Sequence, residues 1–296
     1  MKSLLSVRSL GRSDLEALLT GASAMRDALD RGDPAEMTLS GRCVANLFFE
    51  PSTRTRLSFD LAAQRLGANV VTFNPATAST SKGESLRDSV LTVSAIGADI
   101  LVVRHDEVGV PQAVAEWTGL PVINAGDGVA EHPTQALLDA VTLQRHFGVV
   151  EGLRIAVVGD VTHSRVAGSL VHALPTLGAQ LTLVGPGAWM PEDSPVEIMT
   201  DLDSVVGEMD VIYLLRVQTE RGGVIDDEYV ARFGLHEMRA ARMRPGAMVM
   251  HPGPMNRGVE IGEGVAESPR ALVTEQVRNS VPTRMAVLDL LGRGAT

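Results

Sequence analysis

The chain alternates between short apolar runs and segments in which apolar positions recur every three or four residues. The first pattern is typical of buried β-strands, and the second of amphipathic helices. In the first half the apolar runs predict strands at residues 43–49, 69–73, 99–103 and 121–124. In the second half they predict strands at residues 154–158, 180–184, 211–215 and 247–250.

Helical spacing fills much of the chain between these strands and predicts helices at residues 13–31, 54–66, 85–96, 110–117, 133–147 and 281–291. The first of these opens on Ser13-Asp14-Leu15-Glu16, the order of a capping box, and Gly32 follows its end. Strands that alternate with helices form parallel sheets covered on both faces. We therefore expect an α/β fold with two domains, each a mainly parallel sheet flanked by helices.

The length of 296 residues agrees with two domains, since a domain has about 150 residues. A change of pattern near residues 148–152 marks the expected boundary. This gives a first domain of residues 1–147 and a second of residues 148–280. We assign residues 281–296 to the first domain, because the last predicted helix could pack back on it.

Composition and charge narrow the class of protein. Hydrophobic residues make up 45% of the chain and charged residues 21%, which excludes a wholly disordered chain. The net charge is −10 with no block of five or six like charges, so the sequence offers no electrostatic footprint for nucleic acid. No apolar segment is long enough to cross a membrane or to act as a signal peptide. The single cysteine, Cys43, favours a reducing compartment, and we expect a cytoplasmic protein.

The most informative motif is Glu-Pro-Ser-Thr-Arg-Thr-Arg at residues 50–56, between a predicted strand and the helix that follows it. Backbone N–H groups and the positive dipole end at a helix N-terminus attract anions. Three hydroxyl groups and arginine add donors at the same place, so a phosphate group fits. The alternative is that Ser52 or Thr53 only caps the helix and that Arg54 is solvated. The complete motif favours phosphate.

Ser-Thr-Arg-Thr-Arg at residues 52–56 resembles the carbamoyl-phosphate motif of the aspartate and ornithine carbamoyltransferases. His-Pro-Thr-Gln at residues 132–135 is similar to the second signature of that family. The resemblance extends over nearly the whole chain, through residues 79–84, 103–105, 165, 216–218 and 251–254. In the family's reaction an amine attacks the carbonyl of carbamoyl phosphate, which requires oxyanion donors and a cradle for the leaving phosphate but no covalent nucleophile.

The resemblance implies a role for each matching residue. The residues implied in catalysis are Arg54, Thr55, Lys82, Arg104 and His132. Those implied to hold phosphate are Ser52, Thr53, Arg54, Thr55 and Arg104. Gln135 and the backbone carbonyls of Gly253 and Pro254 would bind the carbamoyl amide, and neither a metal nor a cofactor is implied. The alternative for His132 is a helix cap or a packed imidazole.

The acceptor follows from the second half of the chain. An amino dicarboxylate needs two cationic clamps, and guanidinium pairs with carboxylate through two hydrogen bonds. Arg165 and Arg216 follow predicted strands, and Gln218 adds a neutral donor beside Arg216. Ornithine enzymes carry His-Pro-Cys-Gln, Ser-Met-Gly and His-Cys-Leu-Pro segments, which this sequence lacks. The expected products are N-carbamoyl-L-aspartate and phosphate, in an early step of pyrimidine biosynthesis, with ornithine or another amino acid as the alternative acceptor.

Lys82 is one of only two lysines among 26 basic residues, and it lies in a loop rich in Ser, Thr and Gly. A compact ammonium rather than a planar guanidinium is therefore suggested there, the alternative being a chance surface lysine. In the resembled family this loop, with Ser79 and Lys82, enters the active site of a neighbouring subunit. That implies a homotrimer with shared sites. The sequence leaves open a regulatory chain or a dihydroorotase as a further partner.

Two other classes of protein share part of this pattern. A dinucleotide-dependent dehydrogenase is suggested by the apolar strand that ends at Gly159, but the next glycine is Gly168, so the Gly-x-Gly-x-x-Gly fingerprint is absent. A non-catalytic assembly subunit of the same fold would not need the motif residues, which are all present.

Overall fold

A computed structural model of the protein describes residues 1–73, 83–219 and 225–294. The strands are β1 (Cys43–Phe48), β2 (Asn69–Phe73), β3 (Ile100–His105), β4 (Val122–Asp127), β5 (Arg154–Val158), β6 (Gln180–Val184), β7 (Glu197–Met199), β8 (Val211–Leu214) and β9 (Met248–Met250). The helices are α1 (Arg12–Arg31), α2 (Thr53–Arg65), α3 (Leu86–Ala95), α4 (Val110–Thr118), α5 (Pro133–Phe147), α6 (Arg165–Thr176), α7 (Asp227–Phe233), α8 (Glu237–Ala240), α9 (Glu263–Ala266) and α10 (Val273–Arg293).

The strands form two sheets, in the orders β2-β1-β3-β4 and β7-β6-β5-β8-β9. Every pair of neighbouring strands in them is parallel. The central strands are buried almost throughout, as expected where both faces of a parallel sheet are covered. The expected α/β fold with two mainly parallel sheets is confirmed.

The chain divides into two compact units. Unit 1 is Met1–Val141 with the chain from Arg278 onward, and unit 2 is Thr142–Val277. The boundaries proposed from the sequence, at residues 147/148 and 280/281, lie a few residues away. The sequence places them at the predicted end of one helix and the predicted start of another. The division by contacts instead falls within α5 and within α10.

The N-terminal end of α1 differs from the prediction. The helix begins at Arg12 with Gly11 as its N-cap, and the Asp14 carboxylate accepts the Gly11 N–H at 3.0 Å. The predicted capping box at Ser13 was therefore wrong by two residues. The predicted C-terminal end is right, since Gly32 has a φ of 73°, in the left-handed region that glycine favours.

The last helix is longer than predicted. It begins at Val273 and contains Pro282 within its span, whereas the sequence predicts a start at residue 281. A proline usually marks a helix boundary because it lacks an N–H and crowds the preceding turn. Here burial of residues such as Val287 and Leu288 stabilises the helix around the proline.

The short edge strand β7 was not predicted, because three residues give too little periodicity. Within the ranges described, no helix has both the length and the apolar character needed to cross a membrane.

Candidate active site

Parallel pairing in unit 1 brings two predicted site segments together. Phe48, the last residue of β1, pairs with Arg104 near the end of β3, and the Phe49 N–H donates to the Arg104 carbonyl at 2.9 Å. The motif that begins at Glu50 therefore starts beside Arg104, at the carboxyl ends of adjacent strands. Ligands of parallel α/β sheets bind at this edge.

The N-terminus of α2 lies in this motif. Ser52 is the N-cap residue and has an extended backbone with a φ of −160°. Among the residues described, no side-chain capping bond is formed there, which is contrary to the alternative that Ser52 only caps the helix. Thr55 is buried, while Arg54 is accessible to solvent, although partial desolvation lowers the pKa of its guanidinium. Hydroxyl, guanidinium and N–H donors thus meet at one helix end.

Arg104 is held in place on both sides. Its Nε lies 3.2 Å from Oε2 of Glu50, and its Nη1 donates to the Ala125 carbonyl at 3.4 Å. The Arg104 side chain is mostly buried, so the Glu50 carboxylate provides a counter-charge where a bare guanidinium would be costly. Glu50 was not predicted as a site residue, although it opens the motif.

The second signature, residues 132–135, lies at the start of α5. The His132 carbonyl accepts the Gln135 N–H at 3.0 Å, which places His132 at the helix cap, and its side chain is buried. His132 therefore directly precedes the first turn of α5, and the role of its imidazole stays a prediction. Gln135 follows one turn later, and its Nε2 donates to Oδ1 of Asp139 at 3.0 Å.

In unit 2, Arg165 and Arg216 follow the adjacent parallel strands β5 and β8. Arg165 is the first residue of α6 and is buried. Asp160, at the end of β5, is fully buried, and its Oδ2 accepts the Gln218 N–H at 3.0 Å. This contact ties the turn after β5 to the loop that carries Arg216 and Gln218. Asp160 was not predicted as part of the site.

The loop after β9 contains Gly253 and Pro254. His251 Nδ1 accepts the Gly253 N–H at 2.8 Å, so the imidazole proton is on Nε2, which donates to Oε1 of Glu260 at 3.0 Å. The same carboxylate oxygen accepts the Asn256 N–H at 2.5 Å. His251 and Glu260 are both fully buried, and one carboxylate therefore holds both ends of the loop.

Two predicted site residues, Ser79 and Lys82, lie outside the described residues. The others fall into three groups. Those beyond β1 and β3 are Ser52, Thr53, Arg54, Thr55 and Arg104. Those at the start of α5 are His132 and Gln135, and those beyond β5, β8 and β9 are Arg165, Arg216, Gln218, Gly253 and Pro254.

Comparison with protein families gives two matches. Residues 2–145 match the family described as aspartate/ornithine carbamoyltransferase, carbamoyl-P binding domain. Residues 151–291 match aspartate/ornithine carbamoyltransferase, Asp/Orn binding domain.

Individual relatives agree with these matches. The aspartate carbamoyltransferase catalytic subunit of Acidothermus cellulolyticus is 50% identical over 298 residues, which cover 98% of this chain and 92% of that protein. The corresponding subunit of Opitutus terrae is 44% identical, covering 98% of this chain and 95% of that protein. Aspartate transcarbamoylase of Trypanosoma cruzi, solved with carbamoyl aspartate and phosphate, superimposes with a TM-score of 0.90 at 34% identity, covering 97% of this chain and 95% of that one.

Proposed function

The chain belongs to the aspartate/ornithine carbamoyltransferase family, and we propose from its site residues how it transfers a carbamoyl group to aspartate. It is an enzyme of the aspartate branch. The donor is carbamoyl phosphate, the acceptor is L-aspartate, and the products are N-carbamoyl-L-aspartate and phosphate. The observation that carries this assignment is the pairing of Phe48 with Arg104, because it places the hydroxyl-rich helix terminus beside a buried guanidinium.

The first step of the proposal is binding of the phosphate group in unit 1. Ser52, Thr53 and Thr55 offer hydroxyl donors, and Arg54 and Arg104 offer cations. The leaving phosphate gains negative charge as the bond to carbon breaks, and donors already in place stabilise that charge without having to reorganise. The Glu50 carboxylate neutralises the charge of the Arg104 guanidinium before the substrate binds. A bound dianion would replace part of this contact.

The second step concerns the carbamoyl group. We propose that Thr55, Arg104 and His132 donate hydrogen bonds to the carbonyl oxygen and so would stabilise the tetrahedral oxyanion. Gln135 and the carbonyls of Gly253 and Pro254 would bind the amide nitrogen. The aspartate carboxylates are assigned to Arg165 and Arg216, with Gln218 as a further donor. Guanidinium suits this task because its planar fork matches a carboxylate.

Aspartate, rather than ornithine, is the acceptor that the relatives support, since the bacterial proteins about half identical in sequence are named for aspartate. The same residues favour this assignment on physical grounds. Two arginines attract a dicarboxylate and repel the cationic side chain of ornithine. We place the reaction in the cytoplasm, in pyrimidine biosynthesis.

We further propose a homotrimer in which Ser79 and Lys82 complete the site of a neighbouring subunit. Unit 1 presents an apolar surface close to its phosphate-binding motif. Leu57 and Leu61, one turn apart on α2, are 50% and 46% exposed, and Val71 on β2 is also exposed. Exposed apolar side chains grouped near a site are typical of protein interfaces, and self-association through this surface would cover them.

The proposal is tested by measuring carbamoyl-aspartate and phosphate formation in wild type and in Arg54→Ala, with ornithine as a control acceptor. Loss of one preorganised donor to the developing charge lowers turnover by about 10²- to 10³-fold. Arg65→Ala is the matched control, since Arg65 is exposed at the other end of α2 and should leave turnover unchanged. Near-normal turnover of Arg54→Ala would remove the proposed phosphate cradle, and preferred use of ornithine would overturn the acceptor assignment.

A further inference from the structure

The amide group of Gln135 has a fixed orientation. Its Nε2 donates to Oδ1 of Asp139 at 3.0 Å, one turn along α5. Asp139 is completely buried and Gln135 nearly so. An ionised carboxylate can only accept hydrogen bonds, so the side of the amide that faces Asp139 must be the NH₂ group. The amide oxygen of Gln135 consequently faces away from Asp139.

This orientation depends on Asp139 being ionised, because a protonated carboxyl group could donate to the amide oxygen and reverse it. Arg284 of α10 is a buried cation whose charge interacts with that of Asp139. Its side chain is 2% exposed, and its guanidinium lies over the Phe59 ring at 4.9 Å. Burial, and to a lesser degree the nearby Arg104, lowers the pKa of Arg284 to about 9, while Asp139 opposes the shift. A cation favours the charged form of a carboxylate with which it interacts.

We propose that Asp139 is a positioning residue that makes Gln135 a hydrogen-bond acceptor and thereby selects a carbamoyl donor over an acyl donor. The inference rests on the proposed function, in which Gln135 binds the substrate amide. Carbamoyl phosphate carries an NH₂ group on its carbonyl carbon, where acetyl phosphate carries a methyl group of similar size. An amide oxygen that faces away from Asp139 can accept a hydrogen bond from the NH₂ group of carbamoyl phosphate. The methyl group of acetyl phosphate offers it no such bond. A site built around such a bond discriminates against analogues that lack it.

The experiment compares two ligands in the whole enzyme. For each variant, the dissociation constant of carbamoyl phosphate and that of acetyl phosphate are measured, and their ratio is the discrimination. Asp139→Leu frees the Gln135 amide to rotate, and we expect the discrimination to fall about tenfold, the loss of one hydrogen bond. Binding of inorganic phosphate, which does not involve Gln135, should change less than about twofold. A merely structural role would weaken all three ligands together and leave the ratio unchanged.

A double-mutant cycle shows whether Asp139 acts through Gln135. Gln135→Leu should lower the discrimination by itself, and adding Asp139→Leu should lower it no further, because coupled residues are not additive. The matched control is Asp60→Leu, which breaks another amide–carboxylate bond of unit 1, from Asn46 Nδ2 to Asp60 Oδ1 at 2.6 Å, and should leave the ratio as in wild type. If Asp139→Leu does not fold because Arg284 loses its counter-charge, the pair is replaced together by Asp139→Leu with Arg284→Met, since apolar replacement of a buried pair is often tolerated.

Two outcomes overturn the proposal in distinguishable ways. An unchanged ratio in Asp139→Leu, together with a lowered ratio in Gln135→Leu, would refute the positioning role and leave the proposed function intact. An unchanged ratio in both variants would show that Gln135 does not contact the amide, and the assignment of Gln135 in the proposed function would fail with it.

Discussion

Arg216 donates a hydrogen bond from Nη2 to Oε1 of Gln218 over 2.9 Å, so two residues assigned to the acceptor are bonded to each other. Gln218 is in turn fixed by its backbone N–H, which donates to the buried Asp160 at 3.0 Å. The direction of the Arg216 guanidinium therefore depends on a carboxylate at the end of another strand. A long arginine side chain loses less conformational entropy on binding when it is held in this way.

Arg216→Ala should weaken aspartate specifically. The loss of a charge-assisted carboxylate contact costs about 1.5–3 kcal/mol, so the half-saturating aspartate concentration should rise about 10- to 150-fold, since 1.4 kcal/mol is a factor of ten. That of carbamoyl phosphate should change little. Steady-state kinetics with each substrate varied in turn measures both values.

The matched control for Arg216→Ala is Arg232→Ala, because Arg232 is an exposed arginine of the same unit that pairs with Glu228. It should leave both half-saturating concentrations unchanged. An equal rise for aspartate and carbamoyl phosphate in Arg216→Ala would contradict the assignment of Arg216 to the acceptor.

Glu260→Ala should impair the loop of Gly253 and Pro254. It removes the acceptor for both His251 Nε2 and the Asn256 N–H, and leaves a buried donor and a partly buried donor without it. We expect a loss of about 2–4 kcal/mol of unfolding free energy and a kcat/KM about 10- to 100-fold lower, as a misplaced carbonyl weakens positioning.

Glu260→Gln is the conservative comparison, because it keeps an oxygen that can accept. It should recover most of the stability and most of the kcat/KM. If Glu260→Ala were fully active below its lowered melting temperature, the carboxylate would stabilise the fold without positioning the loop.

Hybrid trimers test whether Lys82 acts on a neighbouring subunit. Arg54→Ala and Lys82→Ala chains, each nearly inactive alone, should regain activity when co-expressed with different tags and purified as mixed trimers. A mixed interface contains one site with both residues intact. In the control, Arg54→Ala chains are combined with chains that carry both Arg54→Ala and Lys82→Ala, so every site of the mixed trimer lacks Arg54. Mixed trimers as inactive as this control would place Lys82 in the site of its own subunit or in none.

Local sequence patterns explain why the bounds of several helices and strands were predicted correctly. The bounds of α5, β5 and β6 agree with the prediction to the residue, because each apolar pattern ends at glycine, proline or charged residues. The role of Arg104 beside the motif was implied only by the resemblance to the family, and the pairing of β1 with β3 is what shows the two segments to be neighbours. The predicted start of α10, at residue 281, was wrong because the helix begins at Val273 and continues through Pro282, where tertiary packing overrides a local breaker.

The partners of the site residues could not be predicted. Glu50 with Arg104, and Asp139 near Arg284, are far apart in sequence, and no periodicity links a charge on one element to a charge on another. Arg284 in particular follows the sequence's general preference for arginine over lysine, so only its burial distinguishes it from a surface cation.

The acid sensitivity of unit 2 should depend on Asp203. Arg239, 5% exposed, donates from Nε to Oδ1 of Asp203 at 2.8 Å, and from Nη2 to the Ala231 carbonyl at 2.8 Å. The hydrogen bond from Arg239 is the main reason why the pKa of Asp203 is lowered, with Arg242 adding to the effect. A carboxylate whose pKa is lower in the folded state stabilises the fold above its unfolded pKa of about 3.9. That contribution is lost as the pH falls through the folded value.

Asp203→Asn should therefore lower the unfolding free energy near pH 7 by about 1 kcal/mol, a modest value because the Asp203 side chain is 43% exposed and its charge is screened by solvent. Below the folded pKa, wild-type Asp203 is itself uncharged, so the difference between the two proteins should shrink as the solution is acidified. Urea unfolding at pH 7, 5 and 2.5 measures the difference, with Asp193→Asn at an exposed position as the control. A difference that stays constant over this range would mean that Asp203 contributes through the shape of its contacts rather than through its charge.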